Sequence, residues 1–140
     1  MTCRYILLLW TLASGAFSSP VIQVFVSFSM PEQLLTQTLT ESAKLRIPAM
    51  LNGLYHNSMP ETAKKVLALT NQIPDLNLQI DPTAFERYGI QQVPALVISD
   101  AHGFDVIYGN LALKDGLHRM ADSVNESGLH RADVRRILGE

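Results

Sequence analysis

The chain has 140 residues, 47% of them hydrophobic, with 11 Lys and Arg against 13 Asp and Glu, a formal net charge of −2 and one cysteine, Cys3. That balance leaves no basic footprint for nucleic acid, a lone cysteine cannot build a disulfide scaffold, and the globular composition has neither repeats nor low-complexity tracts. The length suits one ordinary domain and is too short for two.

Met1 to about Ser19 carries Arg4 and no acid, then an apolar run from Tyr5 to Ala13, then the small residues Ser14, Gly15, Ala16, Ser18 and Ser19. This three-part pattern predicts a secretory signal peptide over 1–19, cut after Ala16 or after Ser19, and hence an exported protein. A retained anchor helix is the alternative, although the apolar run falls short of the roughly 20 residues that span a bilayer. Cys3 precedes the apolar run, whereas a lipoprotein cysteine would follow it. Loss of Arg4 and Cys3 with this segment leaves ten basic against thirteen acidic side chains, a formal charge of −3, and no thiol.

Val21 to Phe28 is rich in β-branched and aromatic residues, with Val24, Val26 and Phe28 on one face and Phe25 on the other, as in a strand covered on both sides. Ser29 is placed to cap a helix, Pro31 suits its first turn and Glu32 meets the positive end of its dipole. Leu35, Leu39, Ala43 and Ile47 then recur every four residues, which predicts one buried stripe, and Pro48 stops the helix. Ala49 to Tyr55 reads as a short strand. Pro60-Glu61 opens a second helix with Ala63, Val66, Leu67, Thr70 and Ile73 on its inner face and Lys64 and Lys65 turned away. Asn77 to Ile80 is a third strand, and Pro82 to Tyr88 a short helix capped by Asp81 and closed by Gly89. Ala95 to Ser99 and Phe104 to Tyr108 form a hairpin across Asp100-Ala101-His102-Gly103. Leu113, Leu117, Met120, Ala121 and Val124 mark a last amphipathic helix. Residues 20–124 thus predict one α/β domain of order βαβαβαββα, a mixed central sheet with flanking helices. From Asn125 to Glu140 the chain turns polar. Leu129, Val134, Ile137 and Leu138 offer a weak helical stripe, but a solvated terminal tail is the expectation.

The order βαβαβαββα is thioredoxin-like, and Ser29-Met30-Pro31-Glu32 stands where such proteins keep Cys-x-x-Cys. Thiol–disulfide exchange needs a thiolate, so the domain is expected to be redox-inactive. No base or orienting group near Ser29 marks it as a nucleophile, and no catalytic residue is assigned. His56, His102, His118 and His130 lack the spacing of a metal site, and neither metal nor cofactor is implied. Val93-Pro94 is placed as the cis-proline of this fold, whose preceding residue offers backbone to an extended segment, although a cis-proline is also a rigid turn device in its own right. The candidate protein-binding groove is therefore Phe28, Ser29, Met30, Pro31, Val93 and Pro94, with Met30 either a core filler or exposed beside Phe28 at the rim.

The signal peptide, Phe25 to Pro31, Ile80 to Phe85 and Val93 to Val97 together resemble the TrbC family of F-type conjugative pilus assembly proteins, over roughly Val21 to Val124. Ser27-Phe28-Ser29-Met30-Pro31 is the more specific element. The resemblance implies a periplasmic component of a type IV secretion system, needed for assembly of the conjugative pilus and acting by protein contact with a TraW-like assembly protein and other transfer components. It implies no catalytic residues and no small-molecule substrate. Relatives with an extended region ahead of the thioredoxin-like domain make contacts that this chain would lack. A periplasmic chaperone-like module that binds extended peptides is the alternative.

Overall fold

The computed structural model describes residues 19–123 and 128–140; residues 1–18 of the predicted signal segment 1–19, with Cys3, and Val124 at the end of the last stripe lie outside them. Five strands, β1 (Val21–Val26), β2 (Ala49–Leu51), β3 (Leu78–Ile80), β4 (Ala95–Ser99) and β5 (Phe104–Tyr108), form one sheet in the order β3-β2-β1-β4-β5. β1, β2 and β3 are parallel, while β4 runs antiparallel to both β1 and β5. The connecting helices are α1 (Glu32–Lys44), α2 (Met59–Gln72), α3 (Pro82–Arg87) and α4 (Leu113–Asp122), with α5 (Arg131–Leu138) closing the chain. A parallel β1-α1-β2 unit beside an antiparallel β4-β5 hairpin and its closing helix is the thioredoxin-like arrangement.

The sheet separates two cores because successive strand side chains point to opposite faces. Val24, Val26, Ala49, Leu51, Leu96 and Ile98 face one layer with Leu35 and Leu39 of α1, Leu69 of α2, and Leu117 and Met120 of α4. Phe25, Met50, Ala95 and Val97 face the other, beneath Ala84 and Phe85 of α3. There Phe25 meets Phe85 edge-on at 4.8 Å and Tyr88 at 5.9 Å, a favoured aromatic geometry. Leu35, Leu39 and Ala43 of α1 and Ile47 after it are buried, between 0% and 7% exposed, although α1 ends at Lys44, short of the stop expected at Pro48, and Arg46 turns left-handed at φ 56°.

Local chemistry sets the other boundaries. The Asp81 carboxylate accepts from the Ala84 amide at 3.1 Å and from the Thr83 hydroxyl at 2.6 Å, capping α3, and Gly89 leaves it at φ 60°. These two hydrogen bonds, Thr83 first, hold the carboxyl below its ordinary value. Asp100 closes the β4-β5 turn by accepting from the amides of His102 (2.7 Å) and Gly103 (3.1 Å). The N-terminus of α4 has no side-chain cap of its own. Glu41 of α1 reaches it instead and accepts from the Leu113 amide at 2.8 Å. Gly116 lets α4 approach the sheet, for a Cβ there would stand 2.9 Å from Leu96 Cδ2.

Three further expectations fail. Of the inner face expected for α2, Ile73 just beyond its end is buried and Val66 packs on the first core, but Leu67 is 60% exposed, Ala63 and Thr70 face outward, and Thr62 and Leu69 are buried in their place. Thr62 tolerates burial because its hydroxyl donates to the Ser58 carbonyl (2.7 Å) and accepts from the Tyr55 amide (2.8 Å). Ser29 does not cap α1. Pro31 holds the cap position, and Ser29 turns back so that its amide donates to the Ser27 hydroxyl at 3.1 Å. Finally, the described part of 125–140 is no solvated tail, since Leu129 and Val134 are completely buried in the first core. α5 is tied to α4 by Arg131–Asp122 (2.6 Å) and by an ion pair between Lys114 and Glu140. The Lys114 hydrogen bond holds the Glu140 carboxyl below its ordinary value.

Candidate functional site

β1 and β2 are parallel neighbours, so the loops leaving them emerge together at one end of the sheet, the end where open α/β sheets place ligands. A cavity of about 450 Å³ lies there, between Ser27, Phe28 and Ser29 after β1 and Asn52, Leu54 and Tyr55 after β2. Phe28 packs edge-on to Tyr55 at 5.6 Å, and Tyr55 stacks on His56 at 3.8 Å. The Lys65 ammonium stands 4.3 Å from the Tyr55 ring centroid and 5.2 Å from that of Phe28. Lys65, expected to turn away, instead packs over two of the rings that line the cavity, whose faces attract the cation electrostatically.

The loop after β2 is held in an unusual shape. Tyr55–Asn57 forms a single 3-10 turn in which His56 (φ 50°) and Asn57 (φ 53°) are both left-handed, which costs about 1 kcal/mol or more for a residue with a Cβ. The Tyr55 amide bond to Thr62 and the 2.9 Å contact of His56 Nδ1 with Glu61 fix it from α2. Ser58 begins α2 by accepting from the Glu61 amide at 3.4 Å.

The six residues singled out from the sequence separate into three environments. Phe28 and Ser29 line the cavity, and Pro31 is exposed at the start of α1. Met30 is 8% exposed and belongs to the first core, with its Sδ accepting from the Ser27 amide at 3.4 Å, so it fills the interior and does not form a rim. Val93 is half-buried against both cores, and Pro94, after a cis peptide bond, is buried beside the small interior gap between β4 and α4. Tyr55, Asn52, His56 and Lys65 are what sequence reasoning missed. Asn52-Gly53 directly after a parallel strand was the available signal, since such turns border ligand crevices.

The Ser29 hydroxyl lies 2.8 Å from that of Ser27, and no hydrogen bond joins it to a base among the described residues.

Residues 24–120 match the family described as type-F conjugative transfer system pilin assembly protein. The chain belongs to that family. It is 44% identical over 97 residues to the "Periplasmic protein TrbC" of Escherichia coli (strain K12), covering 69% of the chain and 46% of that protein. The chain therefore spans about half the length of this curated relative. A solved structure of MTB dsbF in mixed oxidised and reduced forms has 17% identity and a TM-score of 0.48, covering 84% of this chain and 80% of that one.

Proposed function

We propose that this protein works in the periplasm on assembly of the conjugative pilus, by holding another transfer component in the groove between the β1 and β2 loops and not by redox chemistry. Family membership supports the role, and the periplasmic name of the Escherichia coli relative supports the compartment. The observation that carries the mechanism is Ser29-Met30-Pro31-Glu32 at the end of β1: the fold's usual thiol positions hold a hydroxyl and a carboxylate, while the concave surface beside them is intact. The face extends toward Pro31 and Val93, and its partner is a TraW-like assembly protein.

Affinity capture with the tagged protein from the periplasm of plasmid-bearing cells should recover a TraW-like component. The variant Ser29→Arg/Asn52→Arg changes two exposed groove residues, so it should fold normally yet lose that capture, together with pili and conjugation. A folded wild-type protein that captures no transfer component overturns the reading, and full capture by the double variant removes the groove from it. Binding of many unfolded segments without any transfer component would instead identify a chaperone-like module.

A further inference from the structure

Lys65 holds an unusual position at the groove. Its ammonium lies over the rings of Phe28 and Tyr55, and among the described residues it forms no ion pair with a carboxylate. The nearest acid on its own helix face, Glu61, is engaged by His56 at 2.9 Å. The residues lining the cavity include no Asp or Glu, in a chain whose formal charge is −2. Ring faces attract a cation without neutralising it or occupying its three N–H donors, so Lys65 is fixed in place while its charge and hydrogen bonds remain available. In the cavity lining, Leu54 is 38% exposed and Phe28, whose ring lies under the ammonium, is half-buried, so the wall offers apolar surface.

We infer that the groove recognises an extended protein segment in which a carboxylate side chain adjoins an apolar one, the carboxylate meeting Lys65 and the apolar group lying against Phe28, Tyr55 and Leu54. This rests on the reading that the groove holds a partner protein, and it names the chemistry of the part held. A single fixed ammonium beside aromatic rings matches one carboxylate; a nucleic acid or lipid surface needs a broad basic patch. An extended segment suits a cleft that lies along two loop ends. The strained His56-Asn57 turn is part of the same wall, as expected where backbone strain is retained for a site.

The test uses two blocked hexapeptides, one alternating Leu and Asp and the other Leu and Asn, titrated into the 15N-labelled protein and followed by amide chemical shifts. The Asp probe should shift residues 27–29 and 52–56 and bind about tenfold more tightly than the Asn probe at low salt, the worth of one charge-assisted contact. That advantage should vanish in about 0.5 M salt. Lys65→Met, which keeps an unbranched apolar stem on the rings, should abolish the preference; Lys65→Arg should retain it. Equal binding of the two probes, a preference that survives Lys65→Met, shifts confined to other surfaces, or no binding of either probe at millimolar concentration overturns the inference. Loss of partner capture in Ser29→Arg/Asn52→Arg but not in Lys65→Met refutes carboxylate recognition while leaving the groove's role standing.

Discussion

Replacing Leu129 by Ala tests whether the C-terminal segment belongs to the domain. Leu129 is completely buried, as is Val134 one turn into α5, and both join the core formed with Leu117 and Met120. Truncation removes three carbons from contact with that core, worth about 2.4 kcal/mol at about 0.8 kcal/mol each. The cavity left behind raises the loss to about 3 kcal/mol, since a packed interior closes over it only in part. Because whole domains are stable by about 5–15 kcal/mol, this is a large fraction. Urea unfolding followed by far-UV circular dichroism should show a lower midpoint with an unchanged m-value, and Tm should fall by about 10 °C. Arg131→Ala is the control. Its side chain is 72% exposed and its ion pair with Asp122 is a surface one, so it should cost less than about 1 kcal/mol. If Leu129→Ala costs no more than Arg131→Ala, the segment does not dock and the reasoning fails.

Gly116→Val should destabilise by about 1–3 kcal/mol in the same assay, because its Cβ alone would meet Leu96 Cδ2 at 2.9 Å; a neutral result would mean that Leu96 repacks freely. Glu41→Ala should cost about 1 kcal/mol by uncapping α4, and Glu41→Gln, which keeps an acceptor for the Leu113 amide, should cost less. The Asp81 carboxyl is held below its ordinary value of 3.8, so its contribution is complete above that value and is lost as pH falls through the lower folded-state one. The stability gap between wild type and Asp81→Asn should therefore narrow between about pH 5 and pH 2.5, and a gap constant over this range would refute the assignment. Ser29→Ala should alter stability by less than about 0.5 kcal/mol, since Ser29 caps nothing; a loss of about 1 kcal/mol would restore the capping role.

Where sequence and fold agree, the determining chemistry is local. Asp81, Pro82 and Gly89 fix both ends of α3 without help from elsewhere, and Asp100 to Gly103 specify their own turn. The failures occur where a tertiary neighbour decides. Along α2, Val66 and Ile73 of the expected stripe face the core, but Thr62 and Leu69 are buried where Ala63, Leu67 and Thr70 were expected, and Thr62 is accommodated by partners in Ser58 and Tyr55 that periodicity does not reveal. α5 is similar: a weak stripe of Leu129, Val134, Ile137 and Leu138 among charges reads as solvated, but the core containing Leu117 and Met120 of α4 takes in Leu129 and Val134, with Ile137 and Leu138 packed against it. Lys65 belongs to the same class. Its charge reads as solvent-facing until Phe28 and Tyr55, distant in sequence, supply rings beneath it.

The same distinction separates thiol chemistry from the contact proposed for this domain. Thiolate chemistry depends on two cysteines within one loop, so substituting them abolishes it at a stroke. The groove depends on no single motif. Phe28 follows β1, Tyr55 follows β2 and Lys65 comes from α2, and they meet because the parallel β1–β2 pair brings both loops to one end of the sheet. The buried Val24, Val26, Ala49 and Leu51 hold that pairing in register, so the groove is maintained by the core. A surface built in this way persists as long as the fold does, which supports the proposal that the groove holds a partner while Ser29 and Glu32 stand where thioredoxin-like proteins keep their thiols.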